Sequence, residues 1–343
     1  MKYPIGFDIV VIVEASKLKM LADRVLEHAG VDAEHRDLQV DLLMEAELRG
    51  VPSHGLLRLD RIVQRIANGV IDPAARGSHT WRGAGFLAVD GQRGLGPVVA
   101  NFALDALKAR AREHGVALAA INNSNHIGML GWYAERVAAE GFTIIALSTS
   151  EALVHPWGAR RAMLGTNPIS IGVPTGGEPF MMDTATSLVS MGEIHDHANR
   201  GQPIPPGWAL DVDGNPTTDP EAAKKGAIAP FGQAKGYALG LALELLVSSL
   251  SGAALGTEVV GTLDDESVCN KGDVFILIKG PRRDLQAYLE EIRSMPPAAG
   301  FSSVLIPGER GRACRETLRK EGIPISDEVY QRLRSLAAVK ATA

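Results

Sequence analysis

Three short stretches of the chain hold side chains that can move a proton or grip an anion. In the first, Ser53, His54 and Gly55 stand just ahead of Arg58. An imidazole titrates near neutrality and gives or takes a proton at a neighbouring oxygen, while a guanidinium matches a carboxylate with two parallel hydrogen bonds. The pair suits a carboxylated substrate; the plainer alternative is a capping loop with a solvated arginine. In the second, His126 follows a polar run over 122–125 and precedes Ile127 and Gly128. Ser124 or Asn125 would cap a helix there, and the N–H groups at such a junction can also receive a ligand. In the third, Asp183, Thr184 and Ala185 follow an apolar run over 180–182, and their small size lets a flat or phosphorylated ligand come close. Lys235 opens a long apolar stretch. A cation at a helix N-terminus opposes the dipole, so either a phosphate or solvent must receive it.

Other candidates carry less. His195 and His197 flank Asp196, a spacing that offers two ligands from one strand face, yet no further ligand cluster lies near and a solvated loop is expected. His28, His35, His79 and His114 stand in charged surroundings and read as surface. Cys269 and Cys314, the only cysteines, are too few for a disulfide framework or a zinc site, so no metal is expected. The glycine-rich nucleotide fingerprints are missing, because Gly94 and Gly96 are followed by Val99 where a third glycine is needed. With 35 Lys and Arg against 40 Asp and Glu, the formal charge of -5 gives no field that would draw nucleic acid. No export signal and no membrane span are read, and a reducing cytoplasm is the expected compartment.

The elements that must position these residues follow from periodicity. Leu18, Leu21, Ala22, Val25 and Leu26 predict a helix; Asp32 caps a second through Leu38, Leu42 and Leu43; Leu59, Ile62, Val63 and Ile66 mark a third. The His54 loop lies between the second and third. Strands are expected over 86–89, 116–121, 143–148, 274–278 and 303–306, and helices over 98–112, 126–139, 237–250, 285–293, 313–320 and 327–336. The stretch 201–220 is too rich in proline for regular structure and is expected to wrap the surface. Alternating strands and helices make the chain α/β.

Taken in order, the segments 50–55 with Arg58, 124–128, Pro156 with 164–168, 182–187, 208–220, Pro230 to Gly232 with Lys235, and 306–309 resemble the malate/L-lactate dehydrogenase family that lacks a Rossmann fold. The likeness spans nearly the whole chain. It implies an NAD- or NADP-dependent oxidoreductase that moves a hydride between nicotinamide and C2 of a 2-hydroxy or 2-oxo acid, L-sulfolactate or malate first. Ureidoglycolate dehydrogenase and cyclic imine (piperideine-carboxylate) reductase are the alternatives within that class, and a non-catalytic dinucleotide-binding protein is the alternative outside it. Carried over by position, His54 and His126 are the catalytic candidates. Arg58, Ser53, Asn125 and Thr166 would bind substrate; Ser150, Asp183, Thr184, Ala185, Ala234, Lys235, Gly308 and Glu309 would bind the cofactor. The resemblance further implies a non-Rossmann mixed-sheet cofactor domain (76–122 with 180–294) beside a mainly helical domain built from 1–75 and 295–343, with 123–179 a smaller insert. It also implies a homodimer whose active site sits at the subunit interface.

Overall fold

The computed structural model describes residues 10–280 and 283–338; the first nine and last five residues of the expected helical domain lie outside it. In chain order the elements are β1 (Val10–Val13), α1 (Ala15–His28), α2 (Ala33–Leu48), α3 (Leu59–Ala67), β2 (Ser78–Arg82), β3 (Phe86–Asp90), α4 (Gly96–His114), β4 (Val116–Asn122) and α5 (Leu130–Ala139). There follow β5 (Thr143–Ser148), β6 (Ile169–Val173), β7 (Phe180–Thr184), α6 (Met191–Asn199), β8 (Ala209–Leu210), β9 (Pro216–Thr217), α7 (Pro220–Ala223), β10 (Ala227–Ile228) and α8 (Ala234–Ser251). The chain closes with β11 (Asp273–Ile278), α9 (Gln286–Arg293), α10 (Glu309–Glu321), β12 (Ile323–Ser326) and α11 (Asp327–Ala338).

A seven-stranded sheet in the order β2-β3-β4-β11-β5-β6-β7 forms the centre. Only β3 and β4 run parallel; β11 lies antiparallel between β4 and β5. The architecture is mixed α/β. One face of the sheet packs on α4 and α5 through Leu104, Leu107, Tyr133 and Phe275, and the other packs on α8 through Leu243, Val247 and Val274. A second apolar cluster joins the two ends of the chain. Leu18, Leu26, Leu43 and Leu59 from α1 to α3 meet Leu318, Ile325 and Leu333 near the C-terminus, and β1 pairs antiparallel with β12.

The second helix begins where its sequence says it should, because the Asp32 carboxylate accepts the His35 N–H at 2.9 Å. Several expectations need correction. The stretch 123–179 does not stand apart, since β5 and β6 are inner members of the central sheet. The proline-dense 201–220 is not wholly irregular: β8 pairs with β9 and β10, a small sheet whose prolines sit at strand ends and turns. Residues 303–306 are not a strand, and the real pairing in that region is β12, hidden because Pro324 interrupts its apolar run. His35 is buried, its ring bonded to the Pro73 carbonyl at 2.9 Å, not on the surface.

Candidate active site

After α2 the chain turns through Gly50, at φ 71°, into two short 3-10 turns, Pro52–His54 and Leu56–Arg58. Gly55 is the joint between them. A Cβ there would lie 2.2 Å from the Glu47 carboxyl oxygen, so only glycine lets that buried carboxyl reach past to the Leu56 N–H, which donates to it at 2.6 Å. Burial pushes the Glu47 carboxyl up to about 7, with the Leu56 N–H opposing the shift. From this joint His54 and Arg58 face one cavity. Ser53 Oγ lies 3.1 Å from His54 Nδ1, and Arg58 donates its Nε–H to the Ser53 carbonyl at 2.8 Å, which fixes the arginine and leaves its outer NH2 groups for a ligand.

His126 arrives from the opposite side, on an extended segment between β4 and α5. The helix expected to start at His126 starts at Leu130 instead, and neither Ser124 nor Asn125 caps it. Asn125 is spent elsewhere: its Nδ2 donates to the carbonyls of Arg93 and Gly94, and its Oδ1 accepts from Arg65 at 3.0 Å. It holds the segment from behind and does not line the main cavity. The Gly128 N–H donates to His126 Nδ1 at 3.1 Å. The rings of His54 and His126 have centroids 5.4 Å apart and planes tilted by 33°. Each keeps part of its surface open to the cavity while protein encloses the rest. Burial, then the Arg58 charge, lowers His54 to about 3 and His126 well below its ordinary value; both rings are neutral at physiological pH.

The cavity, about 380 Å³, runs on from these groups past Ser150, Thr166, Asp183, Thr184 and Ala185 to Gly308. Ser150 Oγ accepts the Thr166 N–H at 3.0 Å, and the intervening Gly165 tolerates no side chain, because a Cβ would meet the Ser150 carbonyl and Asn167 Oδ1 at 2.5 Å. Asp183, next to last in β7, accepts the Gly131 N–H at 2.6 Å; burial raises its carboxyl to about 6. Glu309 turns away, accepting the Ile306 N–H at 2.8 Å and the Arg293 Nε–H, so it shapes the loop rather than the cavity wall. Ala234 and Lys235, in the first turn of α8, are exposed and outside this cavity.

Several features fit a dinucleotide. Ser187, which lines the cavity, has a buried hydroxyl oxygen with no hydrogen-bond partner among the described residues. Arg310 and Gly311 line its far end in the first turn of α10, where N–H groups lack partners inside the helix and favour an anion. Arg310 did not stand out in the sequence, since a surface arginine carries no signal until a cavity gathers it, and Ser187 stood there only as the end of the 182–187 segment. His195 and His197 are not strand ligands but lie on α6, with His197 Nδ1 at 2.9 Å from the Pro203 carbonyl. Cys269 is buried, and burial pushes its thiol up.

The sequence profile of malate/L-lactate dehydrogenase matches residues 13–334. An L-sulfolactate dehydrogenase of Methanocaldococcus jannaschii is 35% identical over 333 residues, 95% of this chain and 96% of that protein. A Delta(1)-pyrroline-2-carboxylate reductase of Burkholderia ambifaria is 39% identical over 243 residues, 71% of this chain and 72% of that protein. Among solved structures, a dehydrogenase from Sinorhizobium meliloti superposes with a TM-score of 0.94 at 50% identity, covering 97% of this chain and 100% of that one.

Proposed function

The chain belongs to the malate/L-lactate dehydrogenase family, and on that premise we propose that it moves a hydride between a nicotinamide and C2 of a 2-hydroxy or 2-oxo acid, with L-sulfolactate and malate the leading substrates. It is an oxidoreductase that works with NAD or NADP. The observation that carries the reading is the meeting of His54, His126 and Arg58 at one end of a cavity walled by Ser150, Thr166, Asp183, Thr184 and Ala185. When bound, the nicotinamide supplies or takes up the hydride. Ser150, Asp183, Thr184, Ala185 and Gly308 would hold the cofactor.

The chain's own residues supply binding and proton transfer. Arg58 grips the substrate carboxylate with the donors that Ser53 leaves unused. His126 accepts the Gly128 N–H at Nδ1, so its single proton sits on Nε2, where it can hydrogen-bond to the C2 oxygen without titrating. His54 faces only the Ser53 hydroxyl at Nδ1, a group that both gives and accepts, so this ring is free to gain or lose a proton. In the oxidation direction neutral His54 takes the hydroxyl proton. Burial is the larger cause that holds His54 down and the Arg58 charge the smaller; in the reduction direction an anion on Arg58 offsets the second and lifts the affinity of His54 for the proton it must donate.

The mixed sheet serves as a non-Rossmann cofactor domain, and the helical part formed by both chain ends delivers His54 and Arg58. A second copy of the chain covers α8, whose Leu239, Leu245 and Leu246 are exposed on the helix that starts at Ala234 and Lys235; the cofactor contacts of those two residues then belong to a homodimer interface. The cytoplasm is the proposed compartment; among the described residues no helix is long and apolar enough to cross a membrane. Likeness to the pyrroline-carboxylate reductase supports a second reading, reduction of a cyclic imine, because the same imidazoles and arginine serve C=N as well as C=O. Absorbance at 340 nm with NADH or NADPH against oxaloacetate, sulfopyruvate, pyruvate, oxidised ureidoglycolate and a cyclic imine tests both. Oxidation with an oxo acid supports the first, oxidation with the imine alone the second, and silence despite cofactor binding contradicts both.

A further inference from the structure

Resting on the dehydrogenase reading, we infer that Arg61 reads a second acid group on the substrate and so selects dianionic 2-oxo acids over monoanionic ones. From Arg58 into α3 the chain places Arg58, Arg61 and Arg65 three and four positions apart, on one helix face. Their uses differ. Arg65 is buried and fully engaged, donating to the carbonyls of Asp264 and Ser267 and to Asn125 Oδ1. Neither Arg58 nor Arg61 has an ion-pair partner among the described residues. Glu151, the carboxylate whose charge reaches Arg58, accepts the N–H groups of Thr262 and Leu263 and the Thr262 hydroxyl at Oε1 and makes no ion pair with Arg58 or Arg61 among the described residues.

Arg58 and Arg61 both line a small chamber of about 30 Å³ behind the main cavity, together with Leu95 and Ile62. His126, Gly128, Thr262 and Arg58 line both spaces, so the chamber opens at the place where the reacting carbon must lie. Its size admits roughly two waters, or the oxygens of one acid group. Arg61 sits close enough for its charge, with that of Arg58, to oppose protonation of His126. A substrate whose first carboxylate rests on Arg58 therefore projects a group from C3 towards the Arg61 guanidinium, which is exposed to solvent and has no partner among the described residues. A sulfonate or second carboxylate satisfies that group, whereas a methyl leaves it to water.

The test compares wild type, Arg61→Met and Arg61→Lys by the ratio of kcat/KM for oxaloacetate or sulfopyruvate to that for pyruvate, with the same reduced cofactor. Wild type is expected to favour the dianions. Arg61→Met should lower the ratio about tenfold or more, mainly through KM, the effect of losing one charge-assisted hydrogen bond, and Arg61→Lys should restore part of it. An unchanged ratio, an equal loss on both substrates, or a wild type that prefers pyruvate or an imine overturns the inference while leaving the dehydrogenase standing. A wild type inactive with every oxo acid overturns the dehydrogenase reading as well.

Discussion

Replacing Glu47 by glutamine should make the protein's stability less sensitive to pH. Glu47 is 5% exposed, and its carboxyl binds a proton up to about 7 in the folded chain against about 4.5 when unfolded. The folded form thus holds its proton over a window in which the unfolded chain has released it. That contribution is complete below the unfolded value and is lost as pH rises through the folded one; for a shift of this size stability falls by roughly 2–3 kcal/mol between about pH 5 and about pH 8. Glutamine keeps an oxygen for the Leu56 N–H but cannot titrate. Urea unfolding of both proteins at the two pH values gives a double difference in which all other titrating groups cancel. The variant should gain on the wild type by that amount on going to high pH. A gap that stays constant would show that Glu47 is ionised in the folded state and that burial does not govern it.

Other outcomes follow from the same contacts. His54→Ala should lower kcat by about 10²-fold or more, as removal of a general acid and base does, whereas His126→Gln, which retains an N–H donor, should lose less; equal losses would dissolve the division of roles. Gly165→Ala places a Cβ 2.5 Å from the Ser150 carbonyl and Asn167 Oδ1, and overpacking of this kind costs about 1–3 kcal/mol, visible as a lower midpoint in thermal unfolding and weaker cofactor binding by titration calorimetry. If the proposed dimer forms through α8, sedimentation velocity should find wild type dimeric and Leu245→Glu monomeric; a dimer that survives the substitution puts the interface elsewhere.

The readable parts of the sequence were those with strong periodicity or local capping. The three N-terminal helices, the apolar strands β4, β5 and β11, and the cap at Asp32 are local statements that tertiary packing did not override. Less was visible where pairing partners are distant. Ile169–Val173 sits amid glycine and proline, and its strand character comes from lying between Thr143–Ser148 and Phe180–Thr184. Ile323–Ser326 is a strand because Val10–Val13 pairs with it from the other end of the chain. At the site, His54, Arg58 and Asp183 stood out by residue type, and the cavity gathers them. Asn125 lines only the smaller chamber beside Arg61, and its polar groups hold the Arg93 and Gly94 carbonyls and the Arg65 side chain. Glu47 and the buried pairing of Lys271 with Asp273 went unread, since charged residues look solvated until their burial is known, and Arg61, an exposed arginine, carries no signal until a chamber gathers it.

Hydride transfer to C2 is open to direct observation. Incubating the enzyme with oxaloacetate or sulfopyruvate and each of the two C4-deuterated forms of the reduced cofactor, then recovering the hydroxy acid for mass spectrometry and proton NMR, follows the hydride itself. One of the two forms should deliver a single deuterium to C2 with loss of the C2 proton signal, while the other delivers none. Cofactor oxidation that leaves C2 unlabelled with both forms would contradict direct transfer between nicotinamide and substrate, and with it the role given to the cavity between His54, His126 and Arg58.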